Sequence, residues 1–254
     1  MINNGLKNKI DRFLDLHFIN MKVTSIPEGH ESGIPIAGII MRHLFDYEVM
    51  MVEDKLTDPM VRMMVLYHEY GHAFYGHNLH ALKYFNKLKK FTIQNKDYIK
   101  SVAAKLNLTE KKLNYLFTDS FIFNLLNIIG DLQINSTILD LNCINKIDSA
   151  LKVDSIHPSK YNFPSGLNFD MYLLLVTQNL DRIVKDIDEN DHQSMGINGL
   201  EESEINDGSG KLGSGKGFFN QDMIDELKNS GEFDEDGDLV DNNLSNSNKA
   251  KSKL

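Results

Sequence analysis

The stretch His68-Glu69-Tyr70-Gly71-His72 decides how this sequence is interpreted, because two histidines stand four residues apart with a glutamate between them. On an α-helix, residues at this spacing lie about 40° apart on one face, so both imidazoles can reach one ion. Glu69 is rotated by about 100° from His68, which places its carboxylate beside the ion. The stretch predicts a metal site with His68 and His72 as ligands and Glu69 as general base.

The residues before this stretch predict the start of its helix. Thr57 can act as the N-cap, Asp58 is favourable near the positive end of the helix dipole, and Pro59 is tolerated in the first turn. We expect the helix to run from Thr57 to about Tyr75.

A catalytic zinc site usually has three protein ligands and one open position, so a third ligand is expected downstream. The single cysteine, Cys143, excludes a thiolate-rich site, which leaves histidine and carboxylate side chains. On an unbroken helix, His77 and His80 would face about 180° and 120° away from His68, unless Gly76 breaks the helix. They are expected near the helix C-terminus, where imidazoles suit the helix dipole.

A longer pattern, with a third histidine six residues after the second, is absent because that position is Asn78. This departure disfavours a metzincin.

Asp131 is the best candidate for the third ligand, because it lies in an otherwise apolar helix where a carboxylate needs a cation or a metal. Asn127, Asp131 and Asn135 recur every four residues and form one polar stripe, while Gly130 would let another helix approach closely. A structural salt bridge or cap at Asp131 is an equally open alternative on spacing alone. Asp119 is a weaker candidate for the third ligand, since its position predicts a residue at the N-terminus of a helix.

Two motifs carry a family resemblance: the stretch His68–His72 with the following Gly76-His77, and the segment Asn127–Asn135 with its Asn-x-x-x-Asp-x-x-x-Asn pattern. With them the sequence resembles the metallopeptidase domain found at the N-terminus of von Willebrand factor A-like proteins, which also occurs in phage-encoded proteins. The resemblance covers roughly residues 1–187. The chain departs from longer family members because only an acidic tail follows that region.

The resemblance implies a zincin-like fold in which His68, His72 and Asp131 bind Zn²⁺ and Glu69 is the base. It thereby favours metal binding over a structural role for Asp131. Such a site hydrolyses peptide bonds, so the expected substrate is a peptide or protein. The alternative is a zinc-stabilised, non-catalytic binding or assembly protein, with His77 as a ligand that closes the site. Either Tyr161 or Tyr172 could stabilise an oxyanion, or both could simply pack at an edge.

Local patterns predict an α+β fold that is mainly helical with a small sheet. We expect a zincin-like domain over residues 1–188 and a disordered, Gly/Ser/Asn-rich acidic tail over residues 189–254, in which only residues 223–227 offer an amphipathic turn. The predicted strands are Ile34–Met41 and Tyr47–Val52, and further predicted helices are Asn4–Asn20, Ala81–Lys90, Asp97–Leu106, one opening near Thr109, Ser120–Leu141 and Asp170–Ile187.

Charge and hydropathy narrow the expected partners. Most of the net charge of −9 belongs to residues 199–254, which argues against nucleic acid. The acidic tail could recruit a protein partner, or it could occlude or tether the site until it is removed. The N-terminal stretch Met1–Met21 fits neither a signal peptide nor a membrane span. We therefore expect a cytoplasmic protein without membrane attachment, located in the host cytoplasm if it is phage-encoded.

Overall fold

A computed structural model describes residues 8–12, 20–29, 36–43, 46–189, 221–230, 234, 236 and 237. This part is mainly helical with one three-stranded sheet, which confirms the α+β class. None of its helices combines the length and the apolar character needed to cross a membrane. The strands are β1 (Asn20–Ile26), β2 (Ala37–His43) and β3 (Asp46–Val52). The α-helices are α1 (Pro59–Phe74), α2 (His77–Gln94), α3 (Lys96–Lys105), α4 (Glu110–Tyr115), α5 (Asp119–Thr137), α6 (Leu141–Leu151), α7 (Phe169–Gln178), α8 (Leu180–Glu189) and α9 (Gln221–Ser230).

The sheet has the strand order β1-β3-β2, with β3 antiparallel to β2 and parallel to β1. The two predicted strands are confirmed as β2 and β3, and the continuous apolar run of β3 fits its central, buried position. The prediction of a helix over Asn4–Asn20 is wrong at its end, because Asn20 begins β1; residues 8–12 are helical and the remaining residues of that prediction are not described. Lys22 and Thr24 on β1 both donate to the buried Glu48 on β3.

Helix α1 begins one residue later than predicted. Asp58, and not Thr57, is the N-cap, since its carboxylate accepts from the backbone N–H groups of Met60 and Val61 at 2.7 and 3.2 Å. The helix ends at Phe74, in agreement with the prediction.

Helix α5 forms the centre of the domain, because nearly every residue from Phe121 to Asn135 is buried. A helix buried on all sides is mostly apolar on all sides. Each polar residue that it does carry needs a hydrogen-bond or charge partner. A Cβ at Gly71 of α1 would lie 2.7 Å from Ile138 Cδ1 and 2.9 Å from Ile134 Cγ1. The glycine therefore allows α1 to pack closely against α5.

Two other predictions need correction. The predicted helix Asp170–Ile187 is two helices, α7 and α8, which meet at Asn179. Helix α6 was not predicted, although Asp140 caps it by accepting from the Cys143 N–H at 2.8 Å.

The tail contains structure that the sequence did not predict. Helix α9 packs on α2 and buries Met223, Ile224 and Leu227, so the expectation of disorder is wrong for this segment. Beyond it, Gly237 has φ +86°, and a Cβ there would lie 2.5 Å from the backbone nitrogen of Lys83 on α2. Of the predicted tail, only residues 189, 221–230, 234, 236 and 237 belong to the described part of the chain.

Candidate metal centre

Helices α1 and α5 bring the three predicted ligands together. Asp131 Oδ1 lies 3.3 Å from His68 Nε2 and 3.5 Å from His72 Nε2. One potential ligand atom from each residue falls within 4.8 Å of the other two, and the side chains are buried, with 1–4% of each residue exposed. Within the described part of the chain, no other group of histidine, cysteine or carboxylate side chains is arranged in this way.

The donor set fits a divalent cation. Two imidazole nitrogens and one carboxylate oxygen are common ligands of Zn²⁺, and other divalent ions accept the same set. The buried carboxylate of Asp131 carries a charge that requires compensation, which a cation provides. The structure therefore supports a metal site without identifying the metal.

The electrostatics of the three groups show the same need for positive charge. Burial alone would disfavour charge on His68 and on Asp131, but their mutual attraction outweighs it, raising the pKa of His68 to about 9 and lowering that of Asp131 to about 2. Burial lowers the pKa of His72, and the neighbouring His68 lowers it further, since one carboxylate cannot hold two imidazolium ions. Without metal, a proton on His68 balances Asp131; a cation would replace that proton.

Glu69 interacts electrostatically with His68 and Asp131 but does not belong to the ligand group. Burial raises the pKa of Glu69 to about 7; the positive charge of His68 and the Ile39 backbone N–H lower it, while the charge of Asp131 raises it further. The Ile39 N–H thus orients the carboxylate from strand β2. An acid of this kind can accept and return a proton near neutral pH.

Asn135 determines which nitrogen of His68 faces the site. Its Oδ1 lies 2.8 Å from His68 Nδ1, and its amide nitrogen donates to the Ile156 carbonyl at 2.7 Å. Because an amide oxygen only accepts, His68 Nδ1 is the donor. His68 Nε2 is therefore the nitrogen directed at Asp131 and available for a metal.

His77 lies at the site, contrary to the expectation that it faces away. Gly76 adopts a left-handed conformation with φ +63°, which ends α1 and starts α2 with His77 turned inward and 1% exposed. His77 Nδ1 lies 3.1 Å from His72 Nδ1, and His77 Nε2 lies 2.9 Å from Gln133 Oε1. Burial, with the neighbouring His72, lowers the pKa of His77 to about 3, so the ring is neutral. Both nitrogens are engaged, and His77 is not part of the ligand group.

Gly130 makes room for these two rings. A Cβ there would lie 3.3 Å from His72 Cε1 and 3.3 Å from His77 Nδ1. The predicted role of Gly130, to permit close approach of another helix, agrees with this packing.

The other candidate ligands lie elsewhere. His80 is exposed on α2, and its ring centroid lies 6.0 Å from that of Tyr84. Asp119 begins α5, as predicted, and forms an exposed ion pair with Lys89 at 3.0 Å. Neither belongs to the ligand group.

The two tyrosines considered for oxyanion stabilisation are both buried and hydrogen-bonded within the fold. The Tyr161 hydroxyl donates to Asp186 at 2.6 Å, and that of Tyr172 lies 2.9 Å from both the Pro164 carbonyl and Ser136 Oγ. These contacts favour a packing role for both.

Sequence reasoning missed Ile39 and Gln133. Ile39 contributes only a backbone N–H, which leaves no trace in the residue type. Gln133 carried a usable signal, because a polar side chain in an apolar helix needs a partner. It falls outside the four-residue stripe on which the prediction relied.

Comparisons of the chain with models of protein families, with curated proteins and with solved structures give no match. The geometry of the site is therefore what supports a function. The family resemblance remains a hypothesis.

Proposed function

We propose that this protein is a zincin-like, zinc-dependent peptidase that hydrolyses peptide bonds, with His68, His72 and Asp131 as ligands and Glu69 as general base. The observation that carries the proposal is Glu69, a buried carboxylate that interacts electrostatically with His68 and Asp131 without belonging to the ligand group. Burying an acid costs free energy. A buried acid with a pKa of about 7 next to a metal group is characteristic of proton transfer.

The chain's own residues account for the proton transfers. When bound, zinc would supply Lewis acidity that polarises the substrate carbonyl and acidifies water. Glu69 takes a proton from the attacking water and returns it to the leaving amine, for which a pKa near neutrality is suited. The Ile39 N–H holds the Glu69 carboxylate in place during both transfers.

Strand β2 offers a means of aligning an extended peptide. It is an edge strand of the sheet, and Ile39 directs its N–H away from β3 and toward Glu69. Ala37, two residues earlier on the strand, directs its backbone groups to the same side. A peptide that adds to this edge would run past Glu69, in the manner of β-strand addition.

One observation favours a second candidate, a zinc-stabilised binding or assembly protein. All three proposed ligands and Glu69 are nearly fully buried, and structural zinc sites are closed whereas catalytic sites keep one position open. The engagement of both His77 nitrogens argues the other way, since His77 was the expected fourth ligand. Within the described residues, no further histidine, cysteine or carboxylate side chain joins the ligand group.

The test compares Glu69→Gln with the wild type, using a mixture of unstructured peptides whose cleavage is followed by mass spectrometry. Zinc content should be unchanged and cleavage should fall by about 10²–10⁴-fold, because the general base is lost. Glu48→Gln is the matched control, since Glu48 is a buried glutamate in the sheet that contacts Lys22 and Thr24. Cleavage that survives in Glu69→Gln would contradict the assignment.

A spectroscopic measurement separates the two candidates. Cobalt(II) is substituted for zinc, and a small hydroxamate is added. A catalytic site with an open position should bind the hydroxamate, and the visible spectrum of the bound cobalt should then change. A spectrum that does not respond, together with absence of cleavage by the wild type, would favour the structural site.

A further inference from the structure

We propose that His77 and Gln133 form a hydrogen-bond relay that fixes the tautomer of His72 and thereby sets the metal affinity of the site. The inference rests on the proposed metal centre and adds two positioning residues to it. Neither residue contacts the metal position directly; both act through His72.

The direction of the relay follows from the chemistry of its atoms. Gln133 Oε1 only accepts, so His77 Nε2, at 2.9 Å, carries a proton and donates it. In a neutral imidazole the other nitrogen is then a lone-pair acceptor, so His77 Nδ1 accepts from His72 Nδ1 at 3.1 Å. His72 Nε2 is left with its lone pair directed at the ligand group.

The relay is needed because Asp131 favours the opposite tautomer. Its Oδ1 lies 3.5 Å from His72 Nε2 and, without a metal, attracts a proton to that nitrogen. A proton on Nε2 would occupy the lone pair that a metal requires. By holding the proton on Nδ1, the relay keeps His72 ready for metal binding.

Packing holds the His77 ring in the orientation that the relay requires. Its centroid lies 5.9 Å from that of Tyr75 in a stacked arrangement and 5.2 Å from that of Phe169, edge to face. Gly130 leaves space for the ring, since a Cβ there would lie 3.3 Å from His77 Nδ1. At about 100° per residue, Gly130 stands between Asp131 and Gln133 on the surface of α5, so one helix supplies the ligand, the space and the acceptor.

The first measurement uses the wild-type protein. Nitrogen-15 NMR of the histidine rings assigns the tautomers in the metal-free and zinc-bound states. The relay predicts His77 with its proton on Nε2 in both states, and His72 with its proton on Nδ1 when zinc is bound. A protonated His77 Nδ1 would overturn the relay.

The second measurement is zinc affinity by competition with a chromophoric chelator. Gln133→Leu removes the acceptor and His77→Phe removes the relay ring; each should weaken zinc binding by about 10–100-fold, as is typical for partners of ligating histidines. The matched controls are Asn124→Leu, a buried amide elsewhere on α5, and His80→Phe, an exposed histidine on α2. Both controls should bind zinc as the wild type does.

The outcomes separate this inference from the proposed function. Zinc binding by the wild type that neither Gln133→Leu nor His77→Phe weakens would overturn the relay alone. A wild type that binds no zinc would overturn the metal centre and the relay together. Cleavage activity enters neither measurement, because the relay concerns metal affinity and proton position.

Discussion

Asn135 and His68 are joined by a hydrogen bond of 2.8 Å that directs His68 Nε2 toward the ligand group. Asn135 cannot turn its amide around, because its nitrogen donates to the Ile156 carbonyl at 2.7 Å. We predict that Asn135→Leu lowers zinc affinity by about 10–100-fold, since His68 loses the partner that fixes its tautomer. Chelator competition measures the change. Asn124→Leu serves as the control, and equal affinity of the two variants would contradict this role of Asn135.

Gly130→Ala should separate metal affinity from fold stability. The added methyl group would press on the rings of His72 and His77 at 3.3 Å and displace them by a few tenths of an ångström. Ala is favoured over Gly in a helix by about 1 kcal/mol, which offsets the cost to stability. We expect zinc affinity to fall by about tenfold. The melting temperature of the metal-free protein should change little; a large loss of melting temperature with unchanged affinity would contradict the proposed role of Gly130.

Zinc binding should release a proton at neutral pH. The charge of Asp131 raises the pKa of His68 to about 9, so below that pH the metal-free site carries a proton that zinc must displace. Lowering the pH stabilises the protonated, metal-free form. Between about pH 6 and 8, affinity should therefore rise about tenfold per pH unit, with about one proton released per zinc. Calorimetry in buffers of different ionisation enthalpy counts the protons, and a count of zero would contradict the His68–Asp131 pairing.

Helix α9 should contribute to the stability of the domain. Ile224 is fully buried against α2, and replacing it with alanine should cost about 2–5 kcal/mol in the free energy of unfolding. The exposed Asn229 on the same helix provides the control, Asn229→Ala. Urea unfolding measures both, and equal stability of the two variants would show that α9 does not dock as described.

Because α9 packs on α2, removing the tail affects the stability of the domain as well as any role of the tail at the site. Removing the chain from Gly199 onward exposes the apolar face of α2 that α9 covers. We expect a lower melting temperature from this truncation, whatever its effect on cleavage. A role of the tail in tethering or occluding the site is therefore tested by comparing cleavage by the truncated and the full chain at a temperature at which both are folded.

Sequence patterns predicted those elements of the fold that are determined by residues close together in the chain. The helix that carries His68 and His72, the strands β2 and β3, and the Thr109 cap of α4 each follow from residues close together in the chain. Asp131 could be named as a candidate because a carboxylate within an apolar helix requires a cation or a metal, and the family resemblance favoured the metal over a structural role. The proposed ligands His68, His72 and Asp131 could thus be named from the sequence before the structure showed that they lie together.

The features that sequence reasoning missed depend on distant partners or on a single backbone angle. Strand β1 is held by pairing with β3, 26 residues along the chain, which local propensity does not reveal. His77 was expected near a helix C-terminus, facing away from His68 unless Gly76 broke the helix; the left-handed Gly76 does break it and turns His77 inward. The buried face of α9 becomes evident only when α2 is present to cover it.

The most direct test of the central claim is the metal content of the purified protein by elemental analysis, for the wild type, Asp131→Ala and Asp119→Ala. Asp119 is the matched control, because it lies on the same helix but forms an exposed pair with Lys89. We predict about one zinc per chain in the wild type and in Asp119→Ala, and little or none in Asp131→Ala. Absence of metal from the wild type, or zinc retained in full by Asp131→Ala, would contradict the assignment of His68, His72 and Asp131 as a metal centre.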